Sequence, residues 1–167
     1  MDRWLFVVLT LFIFSCAEEE GVFEQDNTDM FVYDGAIIDP SYPYVGEGNH
    51  LVFHRYLNEE SDPEIADSGY AEDLLFEVIS DQDHFFFTGK ELTEIPILLN
   101  QYCFCLPVDF IEITDGFIEG NKQGSNWLLD VDIQYNLGFI NSESGDTVIV
   151  DDARKLFTGL FKSKERP

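Results

Sequence analysis

Between Trp127 and Leu137 the chain alternates without a break. Trp127, Leu129, Val131, Ile133, Tyr135 and Leu137 fall on one side of a period-two repeat, and Leu128, Asp130, Asp132, Gln134 and Asn136 on the other. Successive strand residues point to opposite faces, so the pattern predicts a strand packed on one side and wet on the other, as in an antiparallel sheet. The neighbouring stretches extend it. Val108 to Thr114 runs into Asp115-Gly116, a turn signal, and Phe117 to Gly120 returns. Lys122 to Ser125 is the next turn. Asn141 to Asp146 is a polar turn, Thr147 to Val150 a strand, Asp151-Asp152 a turn, and Lys155 to Phe161 the last strand. Short connections join sequential antiparallel neighbours, which predicts a C-terminal meander.

The first two thirds are less regular. Met30 to Tyr33 and Ala36 to Ile38 flank Asp34-Gly35, a hairpin signal. Pro40, Pro43, Gly46 and Gly48 mark Ser41 to Asn49 as a loop. His50 to Leu57 reads as a strand, with Leu51, Phe53, Arg55 and Leu57 on one face and His50, Val52, His54 and Tyr56 on the other. Residues 58–72 are acidic and hold Pro63 and Gly69, a second loop. Leu74 to Ile79 and His84 to Thr88 read as strands around Ser80 to Asp83. Pro96 and Pro107 exclude a long regular helix across 89–107, where Ile95 to Leu99 suits a short strand or one helical turn. The sum is an all-β domain, an antiparallel β-sandwich or a partly closed barrel ending in the meander. Trp127 and the domain's many phenylalanines supply its core.

Composition narrows the partners. With 33 Asp and Glu against 9 Lys and Arg, the formal net charge is −24. Nucleic acid is excluded as a partner, because holding phosphates needs clustered Lys and Arg. Adsorption onto anionic lipid head groups is disfavoured for the same reason. Nearly half the residues are apolar, which separates the chain from disordered acidic sequences.

The N-terminus carries the most specific signal. Trp4 to Phe14 is an apolar run, followed by Ser15-Cys16 and then Ala17-Glu18-Glu19-Glu20. A membrane-spanning helix needs about 20 apolar residues, so this run is short for a span and suits a signal-peptide core. The arrangement resembles the cleavage and lipidation site of a bacterial lipoprotein. That resemblance implies cleavage before Cys16, acylation of its sulfur and new amine, and tethering to the membrane of the cell envelope. Glu18 to Glu20 resemble the surface-export signal of some Gram-negative lipoproteins, which implies the outer membrane, on its periplasmic or surface face. The implied layout is a signal peptide over 1–15, a lipidated acidic tether over 16–29, one all-β domain over 30–162, and a tail over 163–167. Ile118-Glu119-Gly120, the Trp127 to Tyr135 strand, Gly145-Asp146 and Phe157-Thr158-Gly159-Leu160-Phe161 are also similar in texture to small β-sheet lipoproteins of Gram-negative bacteria, with a calycin-like barrel as a relation.

Cys103 and Cys105 remain. On a strand their Cα atoms lie about 6.5–7 Å apart, the outer limit for a bridge, so both a strained Cys-x-Cys disulfide and two buried thiols stand open. His50 and His54 would share a metal ion on a helix, but on a strand they are about 13 Å apart, too far to coordinate jointly. Asp130 and Asp132 lie about 7 Å apart, a separation an inverting glycosidase tolerates, yet they alternate with core residues and so face solvent. Asp151-Asp152 with Asp146 offers oxygen ligands for calcium, but the spacing matches no loop consensus. No catalytic or metal-binding residue is assigned, and no cofactor is expected. The expected function is non-enzymatic binding or scaffolding for an envelope protein or glycan, with Tyr42, Tyr44 and Tyr70 as contact points. A calycin-like carrier of a small ligand and an acid-pair hydrolase are the alternatives.

Overall fold

The computed structural model describes residues 27–41, 44–59, 69–79, 82–102, 110–141 and 144–167, with backbone only at 110, 150 and 151. The strands are β1 (Thr28–Ile38), β2 (Val45–Glu59), β3 (Tyr70–Val78), β4 (His84–Thr88), β5 (Ile97–Tyr102), β6 (Phe110–Gln123), β7 (Asn126–Ile140) and β8 (Thr147–Ser163). One short helix, α1 (Gly89–Thr93), follows β4. The all-β expectation holds. The strands form one sheet in the order β4-β6-β7-β8-β1-β2-β3-β5, and it does not close into a barrel. All pairings but one are antiparallel. The exception is β1 with β8, joined in parallel at Phe31↔Lys162 and Val32↔Ser163.

That narrow parallel seam is the fold line. The half β4-β6-β7-β8 packs face to face on the half β1-β2-β3-β5. Phe53 of β2 lies at the centre, its ring 5.2 Å from Phe76, 5.6 Å from Phe85, 5.8 Å from Trp127 and 5.5 Å from Phe161. The predicted inward face of β7 is correct throughout: Trp127, Leu129, Val131, Ile133, Tyr135 and Leu137 are all buried. The meander is also as expected, with β6, β7 and β8 paired in succession.

Three predicted turns are not turns. Asp34-Gly35 lies inside β1 as a register irregularity against β2, with Gly35 at φ +62°. Asp115-Gly116 lies inside β6, beside a bulge between Ile113 and Asp115, with Gly116 at φ +116°. Asp151-Asp152 lies inside β8, where the register against β7 shifts between Leu137 and Gly138. The physical reason is common to the first two. An Asp-Gly pair supplies a residue free to take positive φ and an acceptor for the next amide: Asp34 Oδ1 accepts from Gly35 N–H at 2.8 Å, and Asp115 Oδ1 from Gly116 N–H at 2.8 Å. A bulge uses that chemistry as readily as a turn does, and the partner strand decides between them.

Strand limits differ as well. β2 begins at Val45, inside the predicted loop, and β3 begins at Tyr70, so Glu72 and Asp73 are strand residues. Over Ile95 to Leu99 the strand form occurs, from Ile97, and the short helix lies before it at Gly89–Thr93, where none was expected. β1 starts at Thr28, within the stretch read as tether. The C-terminal tail runs beside β1: Lys164 N–H donates to Val32 O at 3.0 Å and Arg166 to Gly35 O at 2.8 Å. Among the described residues no helix is long and apolar enough to cross a membrane.

Candidate functional site

β2 and β3 each have two faces worth separating. Leu51, Phe53 and Arg55 of β2 turn into the core with Leu74, Phe76 and Val78 of β3, while His50, Val52 and His54 turn outward with Asp73, Leu75 and Glu77. The outward face is not simply wet. Tyr33, Ala36, Val45, Val52 and Leu75 form a second buried apolar cluster there, flanked by Phe31, Ile38, Tyr44 and Leu98. The predicted division of β2 is therefore correct, but its second face buries a centre of its own.

Polar side chains ring that centre in pairs. His50 Nδ1 meets Glu77 Oε1, and the other oxygen of Glu77 accepts from Ile38 N–H at 2.8 Å. His54 Nε2 meets Asp73 Oδ1 at 2.5 Å, and Tyr102 Oη donates to Asp73 Oδ2 at 3.1 Å. Tyr44 and Tyr102 share a hydrogen bond of 2.9 Å between their hydroxyls. The chain Tyr44–Tyr102–Asp73–His54 thus joins β2, β3 and β5 with the residue preceding β2. The Tyr33 ring stacks beside His54, centroids 6.4 Å apart. Burial, aided by the charge of Asp73, raises the Tyr33 phenol above its ordinary pKa. Burial and the hydrogen bonds to Tyr44 and Asp73 raise that of Tyr102 strongly. His54 Nδ1 is buried and makes no hydrogen bond among the described residues.

A second polar group lies inside the core. The carboxylate of Glu72 is fully buried and meets Arg55 Nη1 at 3.2 Å, Lys155 Nζ at 2.7 Å and the hydroxyl of Tyr70. Gln101 Nε2 donates to Tyr70 Oη at 3.2 Å, and the Arg55 guanidinium lies over the Phe157 ring, 5.1 Å from its centroid. Burial lowers the Arg55 pKa, against the opposing pull of Glu72. Burial and the bond to Glu72 push the Tyr70 phenol well above its usual range. Lys155 comes from β8, so this cluster ties the two halves of the sheet.

The predicted residues distribute as follows. Cys16, Cys103, Cys105 and Tyr42 lie outside the described residues. Tyr44 stands in the hydrogen-bonded chain on the outward face. Tyr70 is a partner of the buried Glu72 rather than a loop contact, because β3 begins there. His50 and His54 share a face but each takes its own carboxylate, as strand spacing requires. Asp130 and Asp132 face outward: Asp130 accepts from Thr158 Oγ1 at 3.1 Å, and Arg154 grips Asp132 with two bonds of 2.7 and 2.6 Å. That grip holds the Asp132 carboxyl below its ordinary pKa. Asp146 and Asp152 are exposed. Among the described residues no group of three His, Cys, Asp or Glu can hold a metal ion. Sequence reasoning missed Glu72, Asp73, Glu77, Tyr102 and Lys155. The available signal was Glu72-Asp73-Leu74-Leu75-Phe76-Glu77, where acids enter an apolar strand on both faces.

Chemically, the outward face offers hydrogen-bond donors and acceptors held at set positions by strands. No protein-family model, curated protein or solved structure matches the chain.

Proposed function

We propose that this chain is a lipid-anchored module of the bacterial cell envelope that binds or scaffolds another envelope component and carries out no chemistry of its own. The anchor reading is supported by the apolar run Trp4 to Phe14, by Ser15-Cys16 at its end and by the acidic residues that follow. Acylation at two or more points would give stable attachment, since each buried methylene contributes about 0.8 kcal/mol.

The observation that carries the binding reading is the outward face of β1-β2-β3-β5. Its polar groups are oriented by one another before any partner arrives, and the half-exposed Tyr102 stands at its rim with Tyr44. Rigid tyrosines beside a dry apolar centre are typical of recognition surfaces, because little side-chain freedom is lost on binding. A carrier that encloses its ligand would need an open interior, whereas the space between the halves is occupied by Phe53, Phe76, Phe85, Trp127 and Phe161. That filling supports contact at the surface.

Two measurements test the proposal. Cys16→Ser is expected to move the chain from the membrane fraction to the soluble fraction, and unchanged fractionation would remove the anchor. Cross-linking in the intact envelope is expected to capture a partner with the native chain and to lose it with Tyr102→Ala. Capture that survives Tyr102→Ala would place recognition elsewhere on the molecule.

A further inference from the structure

The opposite side of the molecule has its own exposed face, formed by β4, β6, β7 and β8. Because Phe85, Ile118, Leu129 and Phe157 turn inward, the residues alternating with them turn out. Large apolar side chains stand on both flanks. Phe86 is 48% exposed and stacks on Phe117 at 5.9 Å, while Leu156 and Leu160 on β8 are 60% and 42% exposed. Neighbouring strands lie about 4.8 Å apart, so β4 and β8, three spacings apart, are separated by roughly 14 Å.

Glu119, Asp130 and Asp132 stand between them, with Leu128 of β7 beside them and Arg154 of β8 on Asp132. Glu119 of β6 and Asp130 of β7 are directly opposite in register. Like charges in that position repel and destabilise the sheet. Asp132 is already gripped by Arg154, whereas among the described residues Asp130 accepts from the Thr158 hydroxyl and Glu119 meets His84 and Asn121 at 3.2 and 3.3 Å. The face is thus apolar, then acidic, then apolar, built on rigid strands.

We propose that this face docks an extended basic segment of a partner protein, one in which lysine or arginine alternates with large apolar residues. The cations would lie over Glu119 and Asp130 and relieve their repulsion, and the apolar residues would cover Phe86, Phe117, Leu156 and Leu160. Charge complementarity selects this occupant. A second copy of the chain would set Glu119 and Asp130 against their own equals, and an anionic bilayer would repel them. This surface is separate from the Tyr44–Tyr102 face, so the fate of either proposal leaves the other standing.

The test uses the full chain carrying Cys16→Ser, titrated with a fluorescent synthetic peptide of alternating lysine and leucine and, separately, with an oligolysine of equal charge. Leu156→Ser combined with Leu160→Ser is expected to weaken the lysine–leucine peptide about tenfold or more, because it removes apolar area the peptide would cover, and to leave the oligolysine unchanged. Asp130→Asn is expected to weaken both peptides and flatten their salt dependence. Ile79→Ser, exposed but off this face, should change neither. Equal binding of the lysine–leucine peptide to the native and double-serine chains, with circular dichroism unchanged, would overturn the proposal. So would sedimentation showing a dimer that the double substitution dissociates, or flotation with neutral vesicles that it abolishes; these outcomes assign the face to a second copy or to lipid.

Discussion

Glu72 is the residue on which the interior depends most. Its carboxylate is removed from water and compensated by Arg55, Lys155 and Tyr70. Deleting one member of such a group leaves the others buried and unpaired, which costs about 3–5 kcal/mol. Glu72→Gln is therefore expected to lower stability by that amount in urea denaturation. The phenols Tyr33, Tyr70 and Tyr102 set a second dependence. Each has its pKa raised in the folded chain. Their contribution is complete below the unfolded phenol value, about 10, and is lost as pH rises above it, because the unfolded phenols then release protons that the folded ones retain. Alkaline titration followed by phenolate absorbance should show these phenols ionising together with loss of near-ultraviolet circular dichroism. The Asp132–Arg154 pair, with Arg154 56% exposed, belongs at the other end of the scale, because water screens its charges.

At the scale of elements, long strands carry their bends within them. β6 turns at Gly116, where an added Cβ would lie 1.9 Å from the carbonyl oxygen of Asp132 on β7. Gly116→Ala must therefore break the β6–β7 ladder locally in addition to forcing a positive φ, and about 2 kcal/mol or more of destabilisation is expected in thermal unfolding. Strand existence was legible here. Alternation identified β7 and most of β2, because burying one face demands a period of two, while β4 and most of β8 were read as short apolar runs between turn signals. Strand ends and bulges were not, since Asp34-Gly35 and Asp115-Gly116 satisfy a turn and a bulge equally. The outward face was half legible: His50 and His54 could be placed together, but Asp73 and Glu77 acquire meaning only from the β2–β3 register.

For the whole molecule, the two halves of the sheet share one core and should unfold as one unit. Phe53→Ala would open a cavity where Phe76, Phe85, Trp127 and Phe161 converge, at a cost of about 3–5 kcal/mol. Trp127 fluorescence and far-ultraviolet circular dichroism should report the same shifted midpoint, and separate transitions would mean that the halves fold independently. By itself the sequence determined the all-β class, the inward face of β7, the division of β2 into two faces and the strongly acidic composition, because periodicity and charge are local properties of the chain. Tertiary structure decided which strands become neighbours across the β1–β8 seam. It decided that Lys155 reaches Glu72 across 83 positions of sequence, and that one outward face buries an apolar centre while the other leaves its leucines exposed. These outcomes depend on pairing between distant segments, and no local pattern encodes which distant strand will arrive.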